Sequence, residues 1–204
     1  MPALTRKRHQ TAVEALAARD SDLRAIVQSH GPPPFRARPT GFRTLVHIIL
    51  EQQVSLASAK ATLDKLTLLI PAFTPLDYLK LTVEDLRGAG VSRQKMRYTR
   101  AVAAAIEEGS LPITTLGRRS DDRVRELLTA LPGIGNWTAD CYLMLAMKRP
   151  DLWPIGDLAL VKAIQYVKGL RERPDAEFLD ELGEQYRPLR SVATQLYWHQ
   201  YLSK

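Results

Sequence analysis

Cysteine occurs once in the 204 residues, at Cys141, and histidine four times, at His9, His30, His47 and His199. A single thiol closes no internal disulfide and excludes an iron–sulfur cluster or a zinc site built from several thiolates. The histidines show no HxxxH or comparable spacing among themselves, which argues against a metal held by side chains. Cys141 is expected as a small core residue. No apolar run approaches the roughly 20 residues of a membrane span. The N-terminal "MPALTRKRHQTAVEALAARDSD" carries too much charge for a secretory leader. The chain is therefore expected inside the cell, in the cytoplasm or the nucleus, and not secreted. Strand-like alternation, internal repeats and low-complexity tracts are also missing, which leaves an all-α fold of many short helices.

Acidic residues are outnumbered: 22 Asp and Glu stand against 29 Lys and Arg, for a formal charge of +7 and a pI near 9.7. Such a balance suits a polyanionic partner such as nucleic acid, although charge alone is equally compatible with a basic soluble enzyme. Helical spacing runs through residues 11–29 and stops at Gly31 and the three prolines after it. "FRTLVHIILEQQVSLASAKATLDKLTLLI" reads as two helices meeting near Val54 and Ser55. Thr74 and Thr82 each precede an acid by three residues, the capping-box pattern, and open two short helices, with Gly88 or Gly90 ending the second. "SRQKMRYTRAVAAAIEEG" and the Ser120-capped "SDDRVRELLTAL" give two more. Three final helices are expected over about 158–168, 175–185 and 190–202.

The stretch "TALPGIGNWTADCY" turns from one helix, through Pro132, Gly133, Ile134 and Gly135, into another that begins near Asn136. Glycines allow positive φ and close backbone approach, and the new helix offers unpaired N–H groups, so such a turn can hold a phosphate through its backbone. A Pro-Gly turn between packed helices is the plain structural alternative. Asp157 follows Gly156 and precedes the apolar-periodic "LALVKAIQYV", which places it at a helix N-cap, where the free N–H groups and the helix dipole stabilise a charged carboxylate.

"LPGIGNWTAD" resembles the hairpin of the helix-hairpin-helix DNA glycosylase superfamily, and "WPIGDLAL" resembles its Gly/Pro-rich loop and essential aspartate. With "ILEQQVSLA" near residue 50 and "RPLRSVATQLYWHQYL" at the end, in the same order, the chain is similar to the 3-methyladenine DNA glycosylase II family over roughly residues 41–202. The resemblance implies two helical lobes, residues 41–149 with wedge and hairpin, and residues 1–40 plus 150–204, with the site in the cleft between them. It also implies a short form without the N-terminal β domain that some members carry.

The activity implied is base-excision repair: hydrolysis of the N-glycosidic bond of alkylated purines, of the 3-methyladenine and 7-methylguanine type, in duplex DNA by a monomer. Asp157 would be catalytic, stabilising the oxocarbenium-like sugar and orienting or deprotonating the attacking water. Members that also cleave the backbone carry a lysine two positions after the hairpin's second glycine; here that position is Trp137, which implies a monofunctional enzyme without lyase activity. Trp137 and Trp198 would line the base pocket, with Tyr142 and Trp153 as further candidates. The family often has a tyrosine where this chain has Cys141, and Tyr142, one residue on, is turned by about 100° around the helix. Gln53 matches the side chain that enters the gap left by the flipped base. Gly133, Ile134, Gly135 and Asn136 would grip phosphate, and the carbonyls of Thr129, Leu131 and Gly133 would hold a Na or K ion. No cofactor is implied for catalysis. Rival readings are a glycosylase for deaminated or oxidised purines and a non-catalytic DNA-binding module.

Overall fold

The computed structural model describes residues 2–203, and among them are twelve α-helices, one 3₁₀ turn at Leu116–Arg118 and no strand. In chain order the helices are α1 (Arg6–Arg19), α2 (Ser21–His30), α3 (Phe42–Glu51), α4 (Leu56–Leu69), α5 (Pro75–Lys80), α6 (Val83–Ala89) and α7 (Arg93–Glu107). They continue with α8 (Asp121–Thr129), α9 (Asn136–Leu145), α10 (Leu158–Val167), α11 (Ala176–Gln185) and α12 (Arg190–Leu202).

The starts of most helices are set by side-chain caps that the sequence displays. Ser55, Thr74, Ser92, Ser120 and Asp175 each accept an N–H from the first turn that follows. Thr82 and Asp85 form the complete reciprocal capping box, and α6 ends at Gly90 in the left-handed region, with φ +96°. The single helical run expected over residues 11–29 is in fact two helices, and the first begins earlier, at Arg6 behind the cap Thr5. The break is chemical: Asp20 adopts an extended backbone, and its Oδ1 accepts the N–H groups of Asp22 and Leu23 at 2.8 and 2.9 Å, so it caps α2 instead of continuing α1.

The chain forms two compact units, Met1–Ala37 with Leu143–Lys204, and Arg38–Tyr142. The second changeover falls after Tyr142, where the motifs imply 149, so Leu143 to Arg149 belong with the chain termini. There the Leu4 N–H donates to the Lys148 carbonyl at 2.8 Å and the Arg149 N–H to that of Leu143 at 3.0 Å.

In the first unit α12 is the central helix, packed on α10, α2 and α1 and buried from Ser191 through Tyr197. Leu16, Leu23, Leu160, Ile164, Val192 and Leu196 fill the core around it, each worth roughly 1.5–3 kcal/mol of burial. The Tyr186 hydroxyl bonds those of Tyr197, at 2.8 Å, and the Asp20 carboxylate, at 3.0 Å. In the second unit α3 packs on α4 and α7. Phe42, Phe73 and Tyr78 cluster by their rings, and the buried Tyr78 hydroxyl meets Thr99 Oγ1 at 2.7 Å.

Candidate active site and hairpin

The hairpin between α8 and α9 lies in the second unit. Gly133 has φ +79°, and a Cβ there would stand 2.1 Å from the ring of Tyr98 on α7, so glycine is required twice over. Gly135 has neither constraint: nothing lies within 4 Å of the place its Cβ would take. Its backbone is bare on that side. Ile134 between them is 4% exposed and anchors the turn, with its N–H donating to the Leu131 carbonyl at 3.2 Å. Arg125 of α8 clamps α9 by donating from Nε and Nη2 to Asp140 Oδ1 at 3.1 and 2.8 Å.

The loop between α3 and α4 is tied to this hairpin. Gln52 Nε2 donates to the Gly133 carbonyl at 2.9 Å and to Thr138 Oγ1 at 3.0 Å, while Lys95 Nζ donates to the Leu50 carbonyl at 2.6 Å. Burial holds the Lys95 ammonium below its usual range. Glu51 is fixed by both guanidinium nitrogens of Arg38, at 2.6 and 3.0 Å. Above this base Gln53 is exposed with φ +57°, a conformation uncommon outside glycine, and Val54 beside it is 44% exposed. Gln53 is thus an exposed residue of a loop whose base is tied down at Leu50, Glu51 and Gln52.

Asp157 lies in the first unit. Its N–H donates to the Pro154 carbonyl at 2.8 Å, which turns the chain into α10. As the N-cap, its Oδ1 accepts the Leu160 N–H at 2.7 Å; the same oxygen accepts Trp198 Nε1 of α12 at 2.8 Å. The residue is 7% exposed. A nearly buried acid whose Oδ1 is held by a helix N-terminus and an indole N–H has its orientation fixed.

Two pocket candidates make structural contacts within their own units. Tyr142 is fully buried in the second unit, where its hydroxyl accepts the Gly41 N–H at 2.9 Å. Trp153 packs in the first unit against Tyr186 and Tyr197, with ring centroids at 5.6 and 6.2 Å, and its indole N–H donates to the Leu179 carbonyl at 2.8 Å. A Cβ on Gly183 would lie 2.5 Å from the same indole. Tyr142 is part of the core of its unit, and Trp153 is half-buried against the core of the other. Trp137, in the first turn of α9, is half-buried. Cys141 is buried, as expected of a small core residue. Among the described residues no group of three or more His, Cys, Asp or Glu is placed to hold a metal ion, and no helix is long and apolar enough to cross a membrane.

Sequence reasoning missed Gln52, Lys95 and Tyr98. Gln52 was visible only as one of two adjacent glutamines, and the Gly133 and Thr138 that it binds lie 81 and 86 residues away.

A family model described as HhH-GPD superfamily base excision DNA repair protein matches residues 46–188. YfjP of Bacillus subtilis is 26% identical over 189 residues, which cover 87% of this chain and 65% of that protein, so the chain spans just under two thirds of this relative. A DNA-3-methyladenine glycosidase of Bacillus halodurans shares 32% identity with a TM-score of 0.73, covering 92% of this chain and 87% of that one. The Schizosaccharomyces pombe 3-methyladenine DNA glycosylase Mag1, solved with abasic DNA, superposes with a TM-score of 0.86 at 24% identity, covering 92% and 95%.

Proposed function

Since the chain belongs to the HhH-GPD superfamily of base excision DNA repair proteins, we propose that it is a DNA glycosylase that hydrolyses the N-glycosidic bond of alkylated purines in duplex DNA. The observation that carries the catalytic assignment is Asp157, 7% exposed and held at Oδ1 by the N-terminus of α10 and the indole of Trp198. The bond from the sugar's anomeric carbon to the base breaks with its electron pair leaving on the base, and water adds to that carbon, giving up one proton to the Asp157 carboxylate, which passes it to solvent. Positive charge grows on the sugar during the step. A carboxylate already oriented stabilises that state more than it stabilises the substrate, without reorganisation. Alkylated purines such as 3-methyladenine and 7-methylguanine carry a positive charge in the intact substrate, so they leave as neutral bases with little acid assistance.

The remaining roles follow from chemistry in the same way. Gly135 and the first N–H groups of α9 receive a backbone phosphate. The ring face of Trp198 suits stacking on an extruded base, and Trp137 is a second aromatic candidate for that role. Gln53 fills the gap it leaves, and the strained, exposed backbone at that residue supports the assignment. A Na or K ion would be held by the carbonyls of Thr129, Leu131 and Gly133, which suit such an ion. The Leu131 and Gly133 oxygens each accept one N–H and retain a second lone pair. When bound, the ion adds positive charge beside the phosphate. Trp137 has no amine to form a Schiff base, so the strand stays intact. The enzyme acts as a monomer wherever genomic DNA lies, in the nucleoid or the nucleus.

The test is a duplex carrying one N7-methylguanine, incubated with the wild type and with Asp157→Asn. The wild type releases base and yields strand breaks only after hot alkali, while the variant is at least about 100-fold slower. Breaks without alkali would remove the monofunctional assignment. Binding without release by either protein would leave only a DNA-binding module.

A further inference from the structure

Helix α7 borders the hairpin, and three of its side chains form a stack there. The Tyr98 ring lies where a Cβ on Gly133 would point, at 2.1 Å. Gln94 Nε2 donates to the Tyr98 hydroxyl at 2.6 Å, and the guanidinium carbon of Arg97 stands 5.3 Å from the centre of the same ring. Arg93 lies one turn before Arg97 on the same stripe of the helix. Both arginines are exposed.

Neither of them has an acid partner among the described residues; Arg43, Arg87, Arg100 and Arg118 of the same unit share that lack, whereas three other arginines there are paired. Arg38 pairs with Glu51, Arg123 with Glu126, and Arg125 with both Asp122 and Asp140. Two unneutralised guanidinium groups therefore stand in one row beside the turn, and one of them is held by an aromatic face that also touches the turn's backbone. A guanidinium with its geometry set in advance is the group best suited to a phosphate.

We propose that Arg93 and Arg97 form a second binding site for DNA backbone phosphate, placed by Tyr98 at a fixed offset from the hairpin. The hairpin holds one phosphate through backbone N–H groups, and α7 holds phosphates beside it through side-chain charge. This rests on the reading of the chain as a duplex-DNA enzyme. The ring of Tyr98 then has two duties: it forces glycine at 133, and it carries Arg97.

The experiment titrates an undamaged fluorescent duplex with wild type, Arg97→Ala, Arg97→Lys and the double variant Arg93→Ala/Arg97→Ala, at several salt concentrations between 50 and 200 mM. Each phosphate contact contributes about 0.9 to the slope of log affinity against log salt. Arg97→Ala lowers the slope by about that amount, the double variant by about twice as much, and Arg97→Lys retains it. Wild-type binding with an unchanged slope in the double variant overturns this inference and leaves the glycosylase reading intact. A wild type that binds no duplex overturns both.

Discussion

The candidate chemistry rests on one oxygen. Oδ1 of Asp157 accepts from a backbone N–H three residues ahead and from an indole 41 residues ahead, and these two contacts have different origins. The first is a local cap, legible from an aspartate followed by an apolar helix. The second depends on α12 passing α10, which no local pattern reveals. Trp198 was expected as a flat face for a base, and its N–H adds a positioning contact that composition does not suggest. Replacing it with phenylalanine keeps the ring and deletes the donor. A hydrogen bond to a charged group is worth roughly 1.5–3 kcal/mol, so Trp198→Phe is expected to slow single-turnover base release by 10-fold or more. Duplex affinity should stay within about twofold. An unchanged rate would mean that the indole N–H does not position the carboxylate.

At the scale of elements, the hairpin and the α3–α4 loop are joined through Gln52, and α7 supports both through Lys95 and Tyr98. The two glycines of the motif look equivalent in sequence but differ in the fold. Gly133 is required by the protein itself, through its positive φ and the Tyr98 ring; Gly135 is not, and open space lies where its Cβ would point. Gly133→Ala is therefore expected to cost about 2 kcal/mol or more of stability, which lowers Tm by several degrees in a chain of this size. Adding Tyr98→Ala relieves the clash but not the backbone strain, so thermal melts of the pair should recover only part of the loss. Gly135→Ala should melt like the wild type while weakening duplex binding. If Gly133→Ala melted unchanged, the packing of Tyr98 on the turn would be wrong.

Across the whole molecule, each unit encloses a histidine that folding keeps from protonating easily. His9 in the first unit is pushed below its ordinary 6.5 chiefly by burial, against the raising influence of the Gln195 side chain, and the nearby Arg6 charge lowers it further. His47 in the second is also lowered chiefly by burial, against the raising influence of Glu51. The unfolded chain then binds more protons than the folded one as pH falls below 6.5, so stability is complete above that value and declines beneath it. The urea midpoint is expected to fall between pH 7.5 and pH 5.5. Replacing both, His9→Gln with His47→Gln, should flatten that decline; an equally steep decline in the double variant would assign it to other groups.

The sequence by itself determined most of the helices and their starts, because caps and apolar periodicity act within one or two turns. It also carried the family, through four motifs in order, and the N-cap position of Asp157. It misread the joint at Asp20, where a polar side chain competes for backbone N–H groups inside an otherwise helical pattern. Tertiary structure decided what the aromatics touch: Tyr142 and Trp153 bond to Gly41 and Leu179, 101 and 26 residues distant. It also brought Gln52 to the hairpin and Trp198 to the carboxylate. These contacts join residues far apart in the chain, and only the packing of the helices brings them within hydrogen-bond reach.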